Sequence, residues 1–153
     1  MIYEINKNLK NNYQKLINLA QEYCNYFSLI VEGEDVFPIN LYDKLTPFLF
    51  RLRSTNKWPG TILFNSMAKQ YIFQLNKETV KILLNEAKDF WSWVGPDLPE
   101  DLTFLRKDLS PWFVTISHEK DSYFDLNRSE FNKIKNKIPE MFDRDIKVRV
   151  KGN

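Results

Sequence analysis

Three aromatic and β-branched runs crowd the second half of the chain and leave little choice of topology. Residues 102–106 (Leu-Thr-Phe-Leu-Arg) and 112–117 (Trp-Phe-Val-Thr-Ile-Ser) read as strands. Only Lys107-Asp108-Leu109-Ser110-Pro111 separates them, a connection too short for a crossover, so the pair must be antiparallel. A third run from Ser122 to Leu126 extends the meander. Residues 26–31 and 69–75 have the same character, and 61–64 reads as a short strand forming a hairpin with 69–75 around Asn65-Ser66. At the C-terminus, Ile146, Val148 and Val150 alternate with Lys147, Arg149 and Lys151, the period of a half-buried strand with a basic outer face.

The remaining apolar periodicity is helical. Leu9, Tyr13, Leu16, Ile17, Ala20, Tyr23 and Cys24 recur at spacings of three and four, which predicts a helix over 8–24. A second is predicted over 40–53, kinked at Pro47. Asn76 can cap a third over 77–93, closed by Gly95-Pro96. Asn127-Arg128-Ser129-Glu130 has the pattern of a capping box for a fourth, ending before Pro139. The expected fold is α+β: a mostly antiparallel sheet with helices packed on one face. At 153 residues, with no repeat or linker, the chain predicts a single domain over 1–153.

Composition narrows the function. A 43% hydrophobic and 15% aromatic chain is not a disordered one. One cysteine cannot form an internal disulfide, which fits a reducing compartment, and Cys24 falls on the apolar stripe of its helix, as a small core hydrophobe does. No apolar run approaches a bilayer's thickness, and no apolar h-region follows the start, so a cytoplasmic protein is expected. With 22 basic and 20 acidic residues the net charge is +2, a weak footprint for nucleic acid.

Catalytic and metal patterns are sparse. His118, the only histidine, sits in Ser117-His118-Glu119-Lys120-Asp121-Ser122 at a strand end. Neighbouring residues point in different directions, so this cluster is poor support for a triad, and the plain alternative is a loop histidine bonded to a backbone group or carboxylate. There is no nucleophile elbow and no zinc or Ca²⁺ ligand spacing. Asp97, Glu100 and Asp101, and Asp143 with Asp145, read as solvated acids rather than metal ligands. The four glycines are too dispersed for a phosphate loop. No cofactor or metal is therefore expected.

Two surface features invite a partner. Asp97-Leu98-Pro99-Glu100-Asp101 predicts a proline-stiffened loop carrying three carboxylates, suited to a basic surface. Trp91 and Trp93 cannot share one helix face, which predicts an exposed tryptophan, and Trp93 is the one assigned to an interface. Basic residues gather at Arg51, Arg53 and Lys57, at Lys133, Lys135 and Lys137, and on the last strand.

The segments Trp58-Pro59-Gly60-Thr61, Leu98-Pro99-Glu100-Asp101-Leu102 and Pro111-Trp112-Phe113-Val114-Thr115-Ile116-Ser117-His118-Glu119, followed by Asp121 and Tyr123, resemble a group of uncharacterised small bacterial proteins of immunity type. Some of that group carry the label stage III sporulation protein AH, which implies a membrane anchor, and none is expected from the apolar runs of this sequence. The resemblance spans about residues 25–126 and implies a cytoplasmic protein that binds and neutralises a toxin. Three readings follow. The first is a non-catalytic, immunity-type inhibitor contacting a protein partner through Asp97, Glu100, Asp101 and Trp93, with His118 and Glu119. The second is a nucleic-acid-binding regulator using the C-terminal basic strand. The third is a small enzyme centred on His118.

Overall fold

The computed structural model describes residues 1–5, 9–142 and 146–151. Along the chain run β1 (Ile2–Glu4), α1 (Tyr13–Tyr23), β2 (Tyr26–Glu32), α2 (Ile39–Leu45), β3 (Leu49–Thr55), β4 (Lys57–Trp58), β5 (Thr61–Ile62), β6 (Ala68–Gln74), α3 (Lys77–Glu86), β7 (Glu100–Leu105), β8 (Pro111–Ile116), β9 (Asp121–Asp125), α4 (Arg128–Lys137) and β10 (Val148–Arg149). Eight strands form one sheet in the order β10-β1-β9-β8-β7-β2-β6-β3, and β4 and β5 form a separate hairpin. Every strand pair is antiparallel. The chain is a single compact α+β domain, as its patterning predicts.

Alternation divides the sheet into two faces. Phe27, Leu29, Phe73, Phe104, Phe113 and Phe124 point to one side and join Leu16, Ile17, Leu41, Leu83 and Ile134 from the four helices in a single core. This face is rich in aromatic pairs, such as Phe113 with Phe124 at 4.7 Å and Trp112 stacked on Tyr23 at 5.3 Å. On the opposite face the β4–β5 hairpin folds back over the sheet, where Trp58 packs with Ile30 and Ala68. Gly60 makes this approach possible. Its φ is +88°, and a Cβ there would stand 2.8 Å from Ile116.

Local chemistry explains where several elements start. Asn76 accepts from the backbone of Glu78 and Thr79 while Thr79 bonds back to Asn76, and Asn127 and Glu130 form the same reciprocal box at α4. Three expectations are corrected and one strand is added. The helix placed over 40–53 ends at Leu45, and after a short 3-10 turn at Thr46–Phe48 the chain runs as β3. Pro47 cannot continue the helix, and residues from Leu49 onward gain a ladder on β6 instead. Residues 61–64 do not pair with 69–75. Thr61–Ile62 pairs with Lys57–Trp58, while β6 lies between β2 and β3. The third helix stops at Glu86 rather than 93, followed by a 3-10 turn at Phe90–Ser92. Ile2–Glu4, unassigned from sequence, is a strand between β9 and β10. Asp143 and Asp145 lie outside the described residues.

Candidate functional site

The acidic stretch after α3 does not project as a loop. Asp97 is exposed, but Glu100 and Asp101 open β7 and are buried. The cause is a β-bulge. Ser28 faces Thr103 and Ile30 faces Glu100, so Leu29 stands opposite two residues, Asp101 and Leu102. Asp101 is the extra residue and takes φ +56°, a left-handed conformation that Asp tolerates better than most side chains. Leu102 then returns to the core, and Glu100 and Asp101, which strict alternation would separate, both serve the face under the hairpin.

Asp101 is saturated by two donors. The Trp58 indole N–H reaches Oδ2 at 2.9 Å and the Ser117 backbone N–H reaches Oδ1 at 2.8 Å. Burial pushes its carboxyl above the ordinary range, and these two hydrogen bonds oppose that rise. Asp101 thus fastens the hairpin and the turn after β8 to the start of β7.

Glu100 meets the other groups. Its Oε1 lies 2.9 Å from His118 Nε2 and accepts from the Gly95 backbone N–H at 3.1 Å. Glu32, at the end of β2, faces Glu100, and its carboxyl is pushed up to about 7 by burial and by the proximity of Glu100 and Asp101. His118 is raised by its bond to Glu100. One donor atom each from Glu32, Glu100 and His118 lies within 4.8 Å of the others, the only such group of three found among the described residues. Asp35 adds a further carboxylate. A Cβ on Gly95 would come within 3 Å of carboxylate oxygens of both Asp35 and Glu100, so the bare α-carbon is what lets them approach.

Of the residues assigned to a site from sequence, the fold therefore joins Glu100, Asp101 and His118, and adds Glu32, which no local pattern marks. Asp97 and Glu119 are exposed and outside the group. Trp93, expected at an interface, is fully buried. Because α3 ends early, the 3-10 turn carries it into the core, where its indole N–H donates to Tyr13 Oη at 2.9 Å. The basic C-terminal strand is short, and Arg149 pairs with Glu4 and Lys151 with Asp125.

A second region stands out by exposure. β3 is the outer strand of the sheet, and its five central residues are all exposed. Phe50, Leu52, Ile62, Phe64 and Met67 supply half of the ten exposed large hydrophobics among the described residues, with Phe64 84% exposed. From Lys44 to Lys77 the chain contains six cations and no acid. A cleft of about 820 Å³ lies between the β4–β5 hairpin and the β1–β9 part of the sheet, lined by Arg53, Lys57, Phe64, Tyr123, Asp125 and Lys151 among others.

Comparison with protein-family models, with curated proteins and with solved structures finds no match. No described helix is long and apolar enough to cross a membrane.

Proposed function

We propose that this chain is a non-catalytic protein-binding protein whose partner adds an extended, acidic segment along β3. The observation that carries this reading is an outer strand with unpaired backbone groups along one side and exposed Phe50, Leu52, Arg51 and Arg53 along its length. Charge selects the occupant. Arg51, Arg53, Lys57 and Lys69 are exposed in an acid-free stretch, which matches a partner strand bearing carboxylates. The same charges oppose pairing of β3 with a second copy of itself, because like charges directly opposite each other destabilise a sheet.

The immunity-type resemblance gives the partner a class, a toxin or other effector neutralised in the cytoplasm. This reading moves the interface away from the acidic stretch. Its charge is basic rather than acidic, and its apolar anchors are Phe50, Leu52 and Phe64 in place of Trp93. Nucleic acid is disfavoured because the net charge is only +2 and two of the three C-terminal cations are paired with acids.

The test compares three tagged proteins in nuclease-treated host lysate: the native chain, a Phe50→Ser/Leu52→Lys edge variant, and Asp97→Lys. The expected result is one stoichiometric protein held by the native chain and by Asp97→Lys and released by the edge variant. Equal capture by the edge variant, or bound material that vanishes on nuclease treatment, would overturn the reading. All substituted side chains are exposed, and circular dichroism verifies that the edge variant, which loses the ring contact of Phe50 with Tyr26, keeps the fold.

A further inference from the structure

We propose that Glu32, Glu100 and His118 form a binding site for one divalent transition-metal ion, with Zn²⁺ the ion that the donor set fits. The site is distinct from the β3 edge and does not depend on the protein-binding reading.

Geometry comes first. Donors around a cation bonded at roughly 2.0–2.2 Å stand about 3–4 Å apart. Here one imidazole nitrogen and two carboxylate oxygens are already within 4.8 Å of one another, so a small inward movement completes the arrangement. The three donors come from separate rigid places: the end of β2, the start of β7, and the 3-10 turn at Ser117–Glu119. That dispersal explains why no ligand spacing is legible in the sequence.

Charge comes second. Glu32 and Glu100 stand together here with Asp101 next in the strand and Asp35 against Gly95, and among the described residues His118 is the group bonded to Glu100 able to carry a compensating positive charge. Burying like charges together is unfavourable unless a cation joins them. Glu100 is the buried anchor, its side chain 4% exposed, whereas His118 is 61% exposed, so the coordination sphere opens to solvent on the histidine side. The Gly95 N–H holds Glu100 Oε1 from behind, the supporting contact that orients a ligand carboxylate. Gly95 serves as a cradle, since any side chain there would collide with Glu100 and Asp35.

Chemistry selects the ion. One imidazole with two carboxylates suits Zn²⁺ and its first-row neighbours. Ca²⁺ and Mg²⁺ take oxygen donors almost exclusively and gain nothing from His118. A bound ion would cross-link β2, β7 and the turn after β8, leaving solvent to complete its coordination.

The experiment uses the full chain without a histidine tag, dialysed against EDTA and then titrated calorimetrically with ZnCl₂. Co²⁺ is added in parallel for its visible absorption bands. The expected result is one Zn²⁺ per chain with a Kd below about 10 µM, weakened at least ~10-fold in His118→Ala and in the near-isosteric Glu100→Gln. Glu119→Gln, outside the group, should bind as the native chain does. His118 is exposed, so its alanine variant keeps the fold, which circular dichroism verifies. Absence of saturable Zn²⁺ binding would overturn the proposal. So would binding that both substitutions leave unchanged, since scattered surface carboxylates would then be the ligands. Calcium binding without zinc binding would overturn the assignment of the ion.

Discussion

Replacing Trp58 with phenylalanine tests the bulge most directly. The indole N–H is one of two donors to a buried carboxylate, at 2.9 Å. Phenylalanine keeps most of the ring contact with Ile30 and Ala68 but leaves Asp101 Oδ2 without its donor. A hydrogen bond to a charged group contributes about 1.5–3 kcal/mol. Lost packing from the smaller ring at this 4% exposed position adds ~1 kcal/mol. Trp58→Phe should therefore lower unfolding free energy by roughly 2.5–4 kcal/mol in urea at about pH 8, with the slope against denaturant unchanged. A further readout separates the carboxylate from packing. Burial already raises Asp101, and the Trp58 bond opposes that rise, so removing the bond raises it further. A carboxyl raised in the folded state contributes stability at acid pH that is lost as pH climbs through its folded value. The deficit of Trp58→Phe must therefore shrink as pH falls, because protonated Asp101 no longer requires two donors. A double-mutant cycle with Asp101→Asn should give a coupling above ~0.5 kcal/mol. A deficit under about 1 kcal/mol, or one that is the same at both ends of the pH range, would refute the role given to this pair.

Two further outcomes are expected. In EDTA the native chain should become more stable as pH falls from above 7 towards 4.5, because Glu32 titrates near 7 when folded and near 4.5 when free. Its partial exposure limits the gain to about 1 kcal/mol. Urea unfolding of Glu32→Gln should show a shallower slope, the remainder coming from His118 and Asp101, which are also raised in the folded state, and an identical slope in both proteins would contradict it. Arg106→Lys should cost about 2–4 kcal/mol, since one ammonium cannot reproduce the paired bonds to Glu130 together with those to the Pro111 and Asp125 carbonyls. Thermal unfolding of that variant indistinguishable from the native chain would refute this.

How much of this was legible varies with the reach of the signal. The meander of β7, β8 and β9 was readable because its alternation and its short loop are local properties. Asn76 and Asn127 were readable as caps because capping acts within four residues. The stretch over 40–53 misled because Leu41, Leu45, Phe48, Leu49 and Leu52 satisfy a helical period while β3, exposed on both faces, lacks the apolar alternation of a buried strand. Trp93 was assigned to the surface on the premise of a helix that stops at Glu86. The clustering of Glu32 with Glu100 and His118 was beyond reach, since it depends on strand order and on a bulge residue that is not glycine. The acid-free stretch from Lys44 to Lys77 was there to be read. Near-neutral net charge concealed it, because a segregated charge and a mixed one sum alike.

The bulge ties these regions into one mechanical unit. β3 runs through Thr55 directly into the hairpin, Thr55 bonds to Lys57, and Trp58 fixes the hairpin to Asp101. Asp101 adjoins Glu100 in sequence and, through Ser117, holds the turn that presents His118. As the outer strand, β3 is held by a ladder on one side only, so its order has to come from β6 and from whatever anchors its C-terminal end. That anchor is a carboxylate forced inward by one residue out of register. The strained backbone at Asp101 is the local cost of placing two adjacent carboxylates on the same side of a strand, one to fasten the hairpin and one to serve the cluster.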